Sequence, residues 1–166
     1  MKNAGKACNN RLYRHIRTFE KIVKNYFVIF NNKFKVGIAG GETAETTIAN
    51  LTNFAPSIEG GVDEWNPMEA EGWGDAMMTS KKLSFSFQGK RTYGDPGNDF
   101  IADLAWKSGN DVVAPFCWEM PSGAKVEFTG IINVTSPGGG DSTNTDNLEF
   151  EVKCKGKPKF TPASSG

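Results

Sequence analysis

The sequence predicts a mainly β body, an antiparallel two-sheet β-sandwich or barrel with one flanking α-helix. Three observations predict it. Several segments alternate apolar and polar residues with period two, as a half-buried strand must. The 166 residues include 19 glycines and 12 phenylalanines, arranged as short apolar runs cut by turn residues. Past residue 33, a single stretch carries helical start and stop signals. The length fits one domain, large enough to bury a core.

Taken in order, residues 33–39 (KFKVGIA) form a short extended segment ending at Gly40-Gly41. Residues 46–54 and 57–68 read as β, separated by Pro56 and broken at Gly60-Gly61, and residues 69–82 (EAEGWGDAMMTSKK) read as a loop. Residues 83–88 (LSFSFQ) place Leu83, Phe85 and Phe87 on one face and Ser84, Ser86 and Gln88 on the other. Asp95-Pro96-Gly97 is a turn by its residue chemistry. A helix follows over residues 99–108, capped by Asn98, with Asp99 and Lys107 matched to the two ends of its dipole. Gly109 stops it, and Phe100, Ile101 and Leu104 face the core. Residues 111–120 form a strand with Val113, Phe116 and Trp118. Residues 125–135 alternate Val126, Phe128, Gly130, Ile132 and Val134 against polar or outward neighbours. Residues 147–155 do the same with Leu148, Phe150, Val152 and Cys154. Residues 136–146 (SPGGGDSTNTD) are a polar connection, and the end of the chain is polar and frayed.

Charge divides the chain. It holds 19 basic and 19 acidic residues, yet residues 1–33 carry eight bases and one acid, Glu20. The rest is correspondingly acidic, which marks an appendage and a body. In the appendage, Leu12, Ile16, Phe19, Val23, Tyr26, Phe27 and Phe30 recur at helical spacing among Arg11, Arg14, Arg17, Lys21 and Lys24. A basic amphipathic helix of this kind suits an anionic membrane surface, nucleic acid or a docking partner. The other reading is a start placed too far upstream, with Val23 or Val28 as alternatives. The expected divisions are thus an extension over 1–32, a β-sandwich domain over 33–158 and a flexible tail over 159–166.

Composition limits the chemistry. No apolar run is long enough for a membrane-spanning helix. The lone histidine, His15, falls in the appendage, which argues against zinc sites and histidine-based triads. Cys8, Cys117 and Cys154 are odd in number and form no CxxC pair, so they are no disulfide framework and point to a reducing compartment. The Gly138-Gly139-Gly140 run lacks the spacing of a phosphate loop. Asp63 and Glu64 are adjacent and point to opposite faces of a strand, and Glu69 and Glu71 fall at a loop, so neither pair makes a glycosidase site. The expectation is no enzyme, no catalytic residue, no metal and no cofactor. Residues 63–82 are the exception to a bland surface. Trp65, Met68, Trp73, Met77 and Met78 are many large apolar groups for a connection, and such residues are enriched at protein interfaces.

Short motifs then accumulate in one order: DEWNPM at 63–68, EGW at 71–73, MMTSKK at 77–82, a strand at 83–91 closing on QGKR, YGDPGNDFIADLAW at 93–106, INVTSPGGGDST at 132–143 and the strand at 148–152. In these the chain resembles the tail tube (major tail) proteins of long-tailed bacteriophages of Gram-positive bacteria. The resemblance spans roughly residues 33–158 and leaves the first 32 outside. It implies the tail tube fold and a structural virion protein. Six copies would close into a homohexameric ring, with sheets continuing between subunits, and rings would stack into a tube that delivers the genome into the bacterial host. It implies partners: other copies of itself, a tape measure protein, a tail terminator, distal tail or baseplate proteins, and DNA passing without specific binding. No membrane is expected, and assembly is expected in the host cytoplasm. Residues 63–82 become the inter-ring or inter-subunit contact, ordered only in the tube. Glu127, Glu149 and Glu151 become candidate lumen acids, since carboxylates repel passing phosphates. The alternative is a monomeric β-sandwich binding module recognising another protein, or carbohydrate through Trp65, Trp73 or Trp118.

Overall fold

Strict in-and-out alternation over residues 125–132 sets the frame: Val126, Phe128, Gly130 and Ile132 are buried, and Lys125, Glu127, Thr129 and Ile131 are exposed. The computed structural model describes residues 26–38 and 40–163. The elements are β1 (Lys33–Val36), β2 (Thr46–Thr47), β3 (Leu51–Trp65), β4 (Asp75–Lys90), α1 (Pro96–Asp103), β5 (Val113–Glu119), β6 (Lys125–Ser136) and β7 (Asn147–Thr161). All seven strands join one sheet in the order β2-β1-β5-β6-β7-β4-β3, and every pairing is antiparallel.

The two expected layers are therefore halves of one continuous sheet. β1 and β3 lie far apart in the hydrogen-bonded order, yet the Phe34 ring on β1 sits 4.8 Å from Phe54 on β3 and 4.8 Å from Phe87 on β4. Only a sheet curled onto itself brings those rings together. Phe85, Phe87, Phe116 and Phe150 are at most 1% exposed and interlock in the space between the halves. Each such buried ring contributes about 1.5–3 kcal/mol of transfer free energy. The helix α1 closes the core with Ile101, and the following 3-10 turn adds Leu104.

Several elements differ from the sequence expectation. β3 runs unbroken through Pro56 and Gly60-Gly61, with an irregularity at Gly61/Val62. It is an edge strand, where a residue without an N–H is tolerated. Residues 75–82, expected as loop, are the first half of β4. β7 continues to Thr161, so residues 156–161 are strand and not a frayed end. Gly156, at φ +87°, sits where the β6–β7 register shifts between Glu127 and Thr129. Helix α1 starts earlier and stops at Asp103, tightening into a 3-10 turn before the extended Lys107. Its cap is Asp95, whose Oδ1 accepts from the Asn98 amide at 2.8 Å. Of the expected N-terminal helix, residues 12–25 lie outside the described residues. Val28 is extended and residues 29–31 form a single 3-10 turn, so the helix does not reach Phe30.

Candidate functional site

The pairing of β4 with β7 ends at Ser84–Lys153, but its pairing with β3 continues to Trp65–Asp75. The outer part of this hairpin, residues 58–83, therefore leaves the sheet as a two-stranded arm about 25 Å long at strand rise. Its tip is the 3-10 turn Met68–Ala70 followed by Glu71 and Gly72, both at positive φ. The sequence folds this way because β3 and β4 pair along their whole length, through an irregularity at Gly61/Val62, and Gly61 opposite Ser80 admits close approach. A Cβ there would meet Ser80 Oγ at 2.5 Å.

The arm holds all five apolar candidates. Trp65 is 43% exposed, Met68 100%, Trp73 80%, Met77 62% and Met78 52%, with Ile58 and Val62 also open to solvent. A two-stranded ribbon is at best marginally stable in water by itself, and clustered exposed apolar groups mark an interaction surface. The arm carries six acids, Glu59, Asp63, Glu64, Glu69, Glu71 and Asp75, against two bases at its root, Lys81 and Lys82. Trp118, the third tryptophan considered for ligand binding, is different. It packs on Phe34 and Phe85, and its indole N–H donates to Asn32 Oδ1 at 2.9 Å.

The three candidate lumen acids share the outer face of β6 and β7. Glu149 lies between Gln88 and Ser136, and Glu151 between Ser86 and Asn133, so their cross-strand neighbours are uncharged. Glu127 instead reaches Lys159 at 3.4 Å. The same face of β7 continues with Lys153, Lys155, Lys157 and Lys159; the last two lie past the strand end that the sequence predicts at residue 155. Nearby, Lys35 and Lys125 both hold Glu119, at 2.8 and 2.9 Å, and the Lys35 contact first and the Lys125 contact second keep that carboxyl below its usual pKa. Burial, with Glu119 next, raises the Cys117 thiol, and burial raises Cys154. Among the described residues no group of three His, Cys, Asp or Glu side chains is placed to hold a metal ion.

This fold recurs in solved structures. A chain from the tail of an empty gene transfer agent particle, determined with helical refinement and C6 symmetry, superposes with a TM-score of 0.65 at 18% identity, covering 82% of this chain and 99% of that one. A chain of the native gene transfer agent virion gives 0.62 at 19% identity, with the same coverage of 82% and 99%. A chain of the extended sheath–tube complex of an extracellular contractile injection system gives 0.57 at 10% identity, covering 84% and 94%. The chain has the tail tube fold. No protein-family model and no curated protein matches the sequence. The fold expected from the ordered short motifs is thus the fold found. Among the described residues of this tail tube fold, the arm holds Ile58, Val62, Trp65, Met68, Trp73, Met77 and Met78 exposed.

Proposed function

We propose that the chain is a structural virion protein, a tail tube subunit that assembles into hexameric rings stacked as the conduit for genome delivery. One observation carries this reading: an arm with five exposed Trp and Met side chains projects from a body whose fold is found in the tail of a particle with C6 symmetry. Ring formation would cover Trp65, Met68, Trp73, Met77 and Met78 and pair sheet edges such as β3 that otherwise invite uncontrolled association. Glu149 and Glu151, unpaired among the described residues, would face the lumen and repel DNA, with Glu127 near them. Its partners would be other copies, a tape measure protein, a terminator and distal tail proteins, in a virion assembled in the bacterial cytoplasm. No catalytic role is proposed.

Negative-stain electron microscopy of the full chain, and of a chain lacking residues 1–32, tests this across a concentration series. Rings or tubes of uniform diameter support it. Monomers at every concentration overturn it and favour a binding module, for which Trp65 and Trp73 are the exposed tryptophans on the arm.

A further inference from the structure

The outer face of β7 changes sign along its length. Glu149 and Glu151 are followed by Lys153, Lys155, Lys157 and Lys159, all four exposed, and no acid follows Glu151 in the chain. The last three form one rim of a concavity of about 680 Å³ completed by β1, residues 42–45, β5 and β6, whose acids Glu42, Glu45, Glu119 and Glu127 lie across from that rim. Among the described residues only Lys159 of this row has an ion pair. Beyond Ser84–Lys153, β4 no longer pairs with β7, so this half of β7 also has an open edge where the arm departs.

The arm has the complementary chemistry. Between Val36 and Ser80 lie eight acids and no base, six of the acids being on the arm. No hydrogen bond or ion pair joins any of those six to the lysine row within the described residues. Its Trp and Met side chains are exposed as well.

We propose that the arm of one copy docks on the lysine row of β7 in a neighbouring copy, its acids against Lys153, Lys155, Lys157 and Lys159 and its apolar groups against the adjoining concavity. This rests on the self-assembly reading and adds the receiving surface. The contact joins two different patches, so each copy offers one of each and association propagates, closing into rings or continuing as a filament. Lysines on an open edge also deter strand pairing, but that role alone makes their removal promote association, whereas docking makes removal weaken it.

The test uses the full chain and reads the critical concentration for assembly by sedimentation velocity at low and high salt. Lys155→Glu with Lys157→Glu, and separately Glu64→Lys with Glu69→Lys, should each raise it about tenfold or more, as reversed complementary charges do. Combining the four changes should bring it back to within about threefold of the wild type, and added salt should weaken wild-type assembly by screening. Circular dichroism checks that each variant folds. Lys157→Gln with Lys159→Gln, milder changes at exposed positions, should show a smaller increase of about threefold. Wild-type assembly that the reversals leave unchanged, or that they promote, overturns the docking surface and leaves self-assembly standing. A full chain that stays monomeric overturns both.

Discussion

Arg91 Nη1 donates to Asp99 Oδ1 across 2.6 Å, from a side chain that is only 8% exposed. The same nitrogen reaches Asn98 Oδ1 at 2.8 Å, and the guanidinium lies 4.4 Å from the Tyr93 ring centroid. Tyr93 in turn donates to Asp146 Oδ2 at 2.9 Å, and Asp146 Oδ1 accepts from the Gly139 amide at 3.3 Å. One chain of contacts thus ties the end of β4 to the first turn of α1 and to the polar connection over 136–146.

Asn98 is the centre of that junction. It is fully buried, accepts from Arg91 and the Thr92 amide, and donates to the carbonyls of Ala49 and Lys90 at 3.3 and 3.0 Å. Asn98→Ala leaves several buried groups without partners, at about 1–3 kcal/mol each before relaxation. Chemical denaturation should show a loss of about 3 kcal/mol or more; a loss under about 1 kcal/mol would remove Asn98 from this role.

The junction also sets an acid sensitivity. The Arg91 hydrogen bond first, and the Gly94 amide second, hold the Asp99 carboxyl below its ordinary pKa. Because the folded value is depressed, the stabilisation is complete above the unfolded value of about 4 and is lost as pH falls through the folded value. Glu119 acts in the same direction. The thermal midpoint should therefore fall as pH drops below about 4, and Asp99→Asn with Glu119→Gln should flatten that fall. Equal pH slopes in variant and wild type would contradict the assignment.

The apolar arm makes a separable prediction. Met68→Ser and Trp73→Ser alter side chains 100% and 80% exposed. Monomer stability should change by less than about 0.5 kcal/mol, as for ordinary surface sites. The critical concentration for assembly should rise about tenfold or more, since buried Trp anchors carry much of interface energy. Unfolding curves and sedimentation together check it, and a large stability loss with unchanged assembly would place these side chains in the monomer's own packing.

Hydrogen exchange reads the same arm directly. Residues 75–80 pair only with β3, at a ribbon end with no third strand. Their amides should exchange quickly in the monomer and be protected at least about tenfold in assembled particles, as local opening is suppressed. Equal protection over residues 69–80 in both states counts against burial of the arm on assembly.

How legible these elements were follows from burial. The strands at 83–88, 125–135 and 147–155 show period two because one face of each is in the core, with Phe85, Phe87, Phe128 and Phe150 buried. The arm strands bury neither face, so Asp63–Trp65 and Asp75–Lys82 carry no alternation, and Gly60-Gly61 looked like a break. The end of β7 was hidden for the same reason, since Lys155, Lys157 and Lys159 are exposed and Gly156 resets the register. Residue chemistry offers Asn98 as the cap and Asp95 takes that place, because Asp95, Asn98 and Asp99 all suit a helix start and only packing distinguishes them. The five apolar candidates on the arm stood out by residue type alone, whereas the receiving lysines look like ordinary solvated charge until their common face is known.

The sign change along β7 bears on DNA passage. A lumen lined by the whole face would present lysines to phosphate as well as acids, and DNA would adhere. On the proposed docking, a neighbour's arm would cover the lysine row, and the part left to face DNA would be the stretch around Glu149 and Glu151, whose cross-strand neighbours are uncharged. Tubes of the wild-type chain should therefore retain little duplex DNA at about 0.15 M salt, where nonspecific binding needs exposed cations. Glu149→Lys with Glu151→Lys should leave tube formation intact and make tubes retain DNA in a salt-sensitive way, read by co-sedimentation. Variant tubes that form normally and still exclude DNA would place these two acids away from the lumen.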